Sequence, residues 1–182
     1  MKYNQTIKLK NGKNAIIRNA TGSDGSIVLD AFKAISAETD YLLSYPDEIL
    51  FTPDEESSFL QKKADSANEI HIIALVDGVV VGIAGIDSCG SKYKVKHRAG
   101  MGVSVLKDYW GLGIGSALIY ACIKCTKDAG YTQLMKLALH TPSIIRMIWS
   151  GVKSLSTSYL EKGTLLRKLR CCEYKYLLYK HL

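Results

Sequence analysis

The stretch DYWGLGIGSALIY, from Asp108 to Tyr120, places three glycines at alternate positions just before an apolar helical pattern. A glycine inside a helix costs about 1 kcal/mol relative to alanine, so this arrangement indicates a turn that something approaches closely. A strand is predicted before it, from about Arg98 to Val105, and a helix after it, from about Gly113 to Ala129. The strand QLMKLALH follows. This order predicts a parallel, right-handed βαβ unit.

Two more helices are predicted upstream of this unit. Ser23 and Asp24 are placed to cap a helix through SIVLDAFKAI. The segment FTPDEESSFLQKK carries a stronger signal, because Thr52 can be the N-cap, Pro53 the first helical residue and Glu55 the partner in a capping box.

Strand and turn patterns complete the prediction. EIHIIALVDGVVVGIAGID reads as two strands joined at Asp77-Gly78, a strong hairpin signal, and NAIIRNA as a short strand after the turn KNGKN. GTLLRKLR and EYKYLLYK are predicted to form a closing antiparallel hairpin. Together these elements predict a single α+β (mixed α/β) domain over residues 1–182, with helices on both sides of a central sheet.

Composition limits the function classes. The net charge of +7 allows an anionic partner. The basic residues are scattered, except loosely in the tail LLRKLRCCEYKYLLYKHL, which argues against nucleic acid and favours a phosphate-bearing ligand. No segment has the pattern of a signal peptide or the length of a membrane span. The five cysteines lack framework spacing, so we expect a cytoplasmic protein with reduced thiols and no membrane partner.

The glycine stretch itself predicts a phosphate site. A glycine-rich turn that opens a helix exposes backbone N–H groups at the positive end of the helix dipole; the alternative role for such glycines is close helix–sheet packing. A nucleoside-triphosphate loop would need a lysine, whereas Gly115 is followed by Ser116 and Ala117. A dinucleotide fold would need a carboxylate at the end of the next strand, where His140 stands.

The segment SVLKDYWGLGIGSAL resembles the acetyl-CoA-binding motif of the GNAT superfamily of N-acetyltransferases, bacterial branch. The family pattern Gln/Arg-x-x-Gly-x-Gly/Ala is matched from Trp110 through Gly113 to Gly115, with Trp110 departing at the first position. The likeness covers about residues 10–140, including ETDYLLSYPDE and KVKHRAGMGVSVLKDYWG. It implies a central mixed sheet of six to seven strands flanked by helices on both faces, acetyl-CoA as co-substrate and no metal.

The resemblance also implies an activity and a set of site residues. The acetyl group would pass to a primary amine of a small molecule, an amino acid or a protein N-terminus, and a homodimer is compatible with it. A backbone N–H near Val103 would polarise the thioester carbonyl. The residues implied to bind the pantetheine arm and the diphosphate are Val103, Ser104, Val105, Trp110, Gly111, Leu112, Gly113, Ile114, Gly115 and Ser116.

The chain departs from the family pattern at the proton acceptor. Many related sequences read Ala-Glu-Leu-Gly where this chain reads AGMG, so Gly100 stands in place of the carboxylate. Without a strong base, an α-amine with a pKa near 8 is an easier acceptor than a lysine-type amine with a pKa near 10.4. Glu38, Asp40 and Glu48 are candidate replacements; the alternative is that they are solvated or cap helices.

A second departure follows His140, where the family usually shows Asn-x-x-Ala-x-x-Leu-Tyr-x-Lys-x-Gly-Phe. Here TPSIIRMIWSGVKSLSTSYLEKGTLLRK loses that register, and Tyr159 is the nearest candidate for the acid that protonates the departing thiolate. A disturbance of the coding frame within residues 141–162 would produce this pattern. The sequence therefore leaves two main functions open: an active N-acetyltransferase, and a GNAT-fold protein that binds acyl-CoA with weak or no turnover. A third, weaker alternative is nucleic-acid binding through the basic tail.

Three further motifs have simpler interpretations. Cys122 and Cys125 form Cys-x-x-Cys on a predicted helix without a second pair, which favours core thiols over a metal or redox site. His71 lies inside an apolar strand and is interpreted as a residue of the sheet. His97 precedes the strand that would bind the co-substrate and is a candidate for substrate contact.

Overall fold

Six strands of the described chain form one mixed sheet. The computed structural model describes residues 1–39, 42 and 44–136. The strands are Asn4–Lys8 (β1), Asn14–Asn19 (β2), Ile70–Val76 (β3), Val79–Ser88 (β4), Arg98–Val105 (β5) and Gln133–Lys136 (β6). Their order in the sheet follows the chain, and neighbours pair antiparallel except β5 and β6, which are parallel. The predicted bounds of β5 and the parallel pairing after the glycine stretch are confirmed.

The turn between β3 and β4 has the predicted form. Asp77 and Gly78 have φ angles of 51° and 83°, and a type I′ turn requires the left-handed region at both positions. Lys13, in the turn between β1 and β2, reaches across to Asp77 with its Nζ 2.6 Å from Oδ2. The Asp-Gly pair therefore sets the hairpin register as expected.

Helices cover both faces of the sheet, as predicted. They span Gly25–Ala37 (α1), Pro53–Asp65 (α2) and Ile114–Asp128 (α3). The first two pack on one face, in a buried cluster that includes Val28, Ile35, Leu60, Ile73 and Ile83.

The position of α3 follows from Gly82, which neighbours Ile83 on β4 and so faces the opposite side of the sheet. A Cβ on Gly82 would lie 3.0 Å from Cδ1 of Leu118 and 3.3 Å from Cγ2 of Ile114. The absence of a side chain at Gly82 thus lets α3 approach the sheet closely.

Two local predictions need correction. β1 was not predicted, although it pairs with β2 along its whole length. Asp24 precedes α1 as predicted but makes no side-chain cap to it. Its carboxylate instead accepts two bonds from the Arg18 guanidinium, at 2.7 and 2.8 Å, and one from the backbone N–H of Thr21 at 2.9 Å. The hydrogen bond from Arg18 is the main cause that lowers the pKa of Asp24 to about 2.

Some predictions lie outside the described residues. These are the closing hairpin at GTLLRKLR and EYKYLLYK, the end of the strand QLMKLALH, and the candidates Asp40 and Tyr159. Residues 1–142 form one compact unit, and a single domain over residues 1–182 stays a prediction.

Candidate functional site

The start of α3 has backbone donors without partners in the helix. Its N-cap, Gly113, has a φ of 103°, and no side chain of the described residues caps it. The first bond of the helix runs from the Ala117 N–H to the Gly113 carbonyl, at 3.1 Å. The N–H groups of Ile114, Gly115 and Ser116 precede that bond, so they have no acceptor within the helix and point outward at its positive end.

The three glycines are needed for different reasons. Gly111 and Gly113 have φ angles of 76° and 103°, which favour glycine by conformation alone. Gly115 has no positive φ, and a Cβ there would meet only Cγ2 of Val105, at an ordinary 3.9 Å. A Cβ on Gly111 or Gly113 would meet no atom of the described residues within 4 Å. Close helix–sheet packing therefore does not explain these glycines, and the space in front of the helix start is open to a ligand.

The edge of β5 next to this turn presents backbone groups of two valines. The N–H of Leu106 bonds to the carbonyl of Val81, and the N–H of Cys89 to the carbonyl of Arg98. Antiparallel pairing alternates, so these bonds place the main-chain groups of even-numbered β5 residues toward β4 and of odd-numbered ones toward β6.

The described pairing with β6 ends at Met101 and Lys136. Among the described residues, the backbone of Val103 and Val105 has no pairing on that side. Ser104, opposite Ile83, directs its backbone toward β4, which leaves only its side chain for a ligand.

The other residues predicted at the turn have distinct positions. The Trp110 side chain is 56% exposed and donates its Nε1–H to the Val105 carbonyl at 2.7 Å. The Leu112 carbonyl accepts from the Lys10 N–H at 3.3 Å, which fixes the turn against the β1–β2 connection. Ile114 is fully buried in the core. Ser116 lines a cavity of about 280 Å³ between β1 and α3.

A polar cluster that the sequence did not reveal lies at the far end of β4. Lys63 of α2 donates its Nζ to Oδ1 of Asp87 and, at 2.8 Å, to Oε2 of Glu69. Burial alone would lower the pKa of Lys63, but its bonds to the two carboxylates raise it overall. Lys63 is therefore a cation held between two anions.

His71 lies beside this cluster, on β3 opposite Gly85, and is thus a residue of the sheet as interpreted. Burial is the main cause that lowers its pKa to about 4, so the ring is neutral near pH 7. Its Nε2 is buried without a hydrogen-bond partner among the described residues, and its ring contacts Phe59 edge-on, with centroids 6.0 Å apart.

Two of the three carboxylates considered as replacement bases, Glu38 and Glu48, bind backbone groups. Oε2 of Glu38 accepts from the Lys107 N–H at 2.7 Å, and Oε2 of Glu48 accepts from the Tyr45 N–H at 2.9 Å. The capping alternative holds for Glu48, and Glu38 ties the end of α1 to the end of β5. His97 uses its carbonyl to accept from the Thr132 N–H at 3.1 Å, at the entrance to β6.

The Cys-x-x-Cys pair on α3 is part of the core. Cys122 and Cys125 are buried free thiols, and burial is the main cause that raises the pKa of each. The described residues contain no group of three or more His, Cys, Asp or Glu side chains placed to bind a metal ion. Within the same residues, no helix combines the length and the apolar character that crossing a membrane requires.

Comparison with known proteins decides the family. The model of the acetyltransferase (GNAT) family matches residues 35–144, which is more than half of the chain. The chain belongs to the GNAT acetyltransferase family. A search of curated proteins gives no significant match.

Solved GNAT structures share the fold. A GNAT acetyltransferase from Streptococcus pneumoniae is 27% identical with a TM-score of 0.69, covering 75% of this chain and 82% of that one. A ribosomal-protein-alanine N-acetyltransferase from Brucella melitensis is 20% identical, with a TM-score of 0.62 and coverage of 74% and 82%. The protein yncA of Salmonella typhimurium, solved with its cofactor acetyl-CoA, is 17% identical, with a TM-score of 0.62 and coverage of 75% and 77%.

Proposed function

We propose that this GNAT protein transfers the acetyl group of acetyl-CoA to a primary amine of a small molecule, an amino acid or a protein N-terminus, in the cytoplasm. Membership of the family supports acyl transfer from acetyl-CoA. The observation that carries the proposal is the start of α3, an uncapped helix end with open space in front of its glycines. Such an end binds the oxygens of a diphosphate.

In this proposal, the start of α3 and the edge of β5 bind different parts of acetyl-CoA. The N–H groups of Ile114, Gly115 and Ser116 hold the diphosphate, and the edge of β5 pairs with the amides of the pantetheine arm. Val105 contributes its N–H there, because its carbonyl already accepts from Trp110. A backbone N–H near Val103 polarises the thioester carbonyl. When bound, acetyl-CoA supplies the activated acetyl group, and Tyr159 stays the proposed acid for the departing thiolate.

The acceptor class follows from the cost of deprotonation. Near pH 7.4, making a lysine-type amine neutral costs about 4 kcal/mol, whereas an α-amine costs about 1 kcal/mol. Gly100 offers no carboxylate to offset this cost. We therefore propose α-amines, in amino acids or peptide N-termini, as the preferred acceptors.

A second function is favoured by one observation. Gly100 replaces the carboxylate of the family pattern, which fits a protein that binds acyl-CoA with weak or no turnover, for example as a sensor. Release of free CoA thiol across a panel of amino acids, peptides and alkyl amines separates the two functions. Calorimetry of acetyl-CoA binding is the parallel measurement. Binding with thiol release supports the transferase; binding without release from any amine contradicts turnover and supports the sensor.

A further inference from the structure

Asp87 lies directly opposite Gly100 in the sheet. The register pairs Asp87 on β4 with Gly100 on β5, and this pair belongs to the same hydrogen-bonded set as Val81 with Leu106. Side chains of directly opposite residues share a face, with their Cβ positions about 5 Å apart. A carboxylate thus stands one strand away from the position at which the resemblance expects one.

Three glycines lie next to Asp87 on the same face of the sheet. Gly85 and Gly102 pair with each other and lie on the same face as Asp87 and Gly100. A Cβ on Gly102 would meet nothing within 4 Å, and one on Gly85 only ordinary contacts at 3.7 Å, one of them Nδ1 of His71. Glycine within a strand often marks close approach of a ligand. This glycine strip consists of Gly85 on β4 and Gly100 and Gly102 on β5, and it lies between Asp87 and Val103 in the sheet.

The surroundings of Asp87 keep its carboxylate in place. Lys63 donates to both Asp87 and Glu69, and the second oxygen of Glu69 accepts from the Ser88 N–H at 3.0 Å. The trio of one cation and two anions carries a net charge of −1, which attracts an ammonium group. The side chains of Asp87, Glu69 and Lys63 are 33%, 27% and 10% exposed. Both carboxylates are thus accessible, but only Asp87 lies opposite Gly100.

We propose that Asp87 is the proton acceptor for the attacking amine, a role that rests on the proposed acetyl transfer. The amine nitrogen forms a bond to the acetyl carbon, and the bond from that carbon to sulfur breaks. The nitrogen becomes more acidic as its bond to carbon forms, and Asp87 takes the proton it loses, directly or through one water. CoA leaves as the thiolate, and Asp87 returns its proton to solvent.

Within the described part of the chain, groups from α2, from β3 and from two strand ends face or adjoin Asp87. Lys63 from α2 and Glu69 from the start of β3 bind as described, and His71 from β3 is neutral near pH 7 and so does not repel an ammonium group. Cys89 lies just past the end of β4 and donates its N–H to the carbonyl of Arg98, the first residue of β5. Arg98 is a second cation in this region, and it opposes part of the attraction for an ammonium group. Burial is the main cause that raises the pKa of Cys89, so its thiol carries no charge near neutrality.

The test compares two carboxylates that share one lysine. Asp87→Asn and Glu69→Gln each neutralise one partner of Lys63 and keep a hydrogen-bond acceptor, but only Asp87 lies opposite Gly100. Thiol release is measured with a primary alkyl amine and with an alanyl peptide, and acetyl-CoA binding by calorimetry. We expect Asp87→Asn to lower kcat by about 100-fold, within the range for general-base assistance, with unchanged acetyl-CoA affinity. Glu69→Gln should lower kcat much less than Asp87→Asn, because it leaves the acceptor in place, and its loss of one anion should raise mainly the KM for the amine.

A carboxylate introduced at position 100 gives an additional test of the role of Asp87. Gly100→Glu in the Asp87→Asn background should recover about tenfold in kcat, because it restores a carboxylate at the neighbouring position. Equal kcat for Asp87→Asn and the unmodified protein, or equal losses for Asp87→Asn and Glu69→Gln, would overturn the role of Asp87 while leaving acetyl transfer intact. Acetyl-CoA binding without thiol release from the unmodified protein would contradict the proposed function and this role with it.

Discussion

Helices α2 and α3 begin in opposite ways. At the start of α2, the Glu55 N–H donates to Oγ1 of Thr52 at 3.3 Å, and Oε2 of Glu55 accepts from the Thr52 N–H at 2.8 Å. Pro53 occupies the first turn, where its missing N–H leaves no donor unpaired. At the start of α3, Gly113 makes no side-chain cap.

The two helix starts also differ in the acidic residues of their first turns. The first turn of α2 contains Asp54, Glu55 and Glu56, which complement the positive end of the helix dipole. The first turn of α3 contains no acidic residue. At the start of α2, residues of the same chain satisfy the backbone donors and complement the dipole. At the start of α3, the backbone N–H groups and the positive end of the dipole remain available to an external anion. An uncapped helix start indicates a ligand only when packing does not account for its glycines. At Gly115 packing does not, because a Cβ there would make only an ordinary contact with Val105.

The largest expected effect concerns two glycines at opposite ends of α3. Gly113 and Gly130 have φ angles of 103° and 77°, and a Cβ on either would meet nothing within 4 Å. Valine should therefore strain both sites similarly, but only Gly113→Val places a side chain at the anion-binding end. At a hundredfold excess over its Kd, acetyl-CoA should stabilise the unmodified protein by about 2.7 kcal/mol.

Thermal unfolding with and without acetyl-CoA checks this prediction. The ligand-induced shift should persist in Gly130→Val and vanish in Gly113→Val, although both variants melt below the unmodified protein without ligand. Equal ligand-induced shifts in the two variants would show that the diphosphate binds elsewhere.

Removing the cap of α2 should lower the stability of the protein without affecting its stabilisation by acetyl-CoA. Thr52→Ala removes the hydroxyl that accepts from the Glu55 N–H, and loss of such a cap costs about 1 kcal/mol of unfolding free energy. Denaturant unfolding should show that loss, while the stabilisation by acetyl-CoA stays unchanged. A reduced ligand effect in Thr52→Ala would mean that the two helix starts are coupled, contrary to the comparison.

Gly115→Ala should raise stability and weaken binding at once. Replacing glycine by alanine at a compatible helical position stabilises a protein by about 0.4–1 kcal/mol, and the only neighbour of the new Cβ is Val105 at 3.9 Å. If a ligand approaches the backbone there, the same methyl group raises the Kd for acetyl-CoA. Calorimetry together with unfolding measurements tests both signs, and unchanged affinity would remove Gly115 from the site.

The smallest effect is a pH dependence at α2. The backbone N–H of Thr52, and next its hydroxyl, lower the pKa of Glu55. A carboxyl whose pKa is lower in the folded state contributes stability above its unfolded value near 4.5, and that contribution is lost as the pH falls through the folded value. Between pH 7 and pH 3, the unmodified protein should thus lose slightly more stability than Glu55→Gln. Parallel stability curves for the two proteins would contradict this contribution.

The features predicted from the sequence are those that local chemistry determines. The capping box at Thr52, the turn at Asp77-Gly78 and the glycine stretch all act between residues a few positions apart. β1 escaped prediction because its segment NQTIK has one apolar residue and gains its structure by pairing with β2. The carboxylate of Asp24 was predicted to cap α1 but binds Arg18 instead. Arg18 lies on β2, and the sequence alone does not indicate that pairing.

In the candidate site, too, the locally determined residues were predicted and the residue that depends on strand register was not. The glycines of the α3 start were found in the sequence because their spacing alone is unusual. Asp87 was missed because only the sheet register brings it opposite Gly100, and because its lysine partner lies on α2. Three carboxylates were considered without that register. Glu38 and Glu48 bind backbone elsewhere, and Asp40 lies outside the described residues.

The bond between the Trp110 indole and the Val105 carbonyl gives the protein a built-in optical reporter. The indole is half exposed at the mouth of the proposed site, and the chain has one other tryptophan, Trp149. In a Trp149→Phe background, the emission would come from Trp110 alone. A ligand that lies along the edge of β5 would change the solvent around that indole, so its emission wavelength and quenching by iodide would report occupancy without any label.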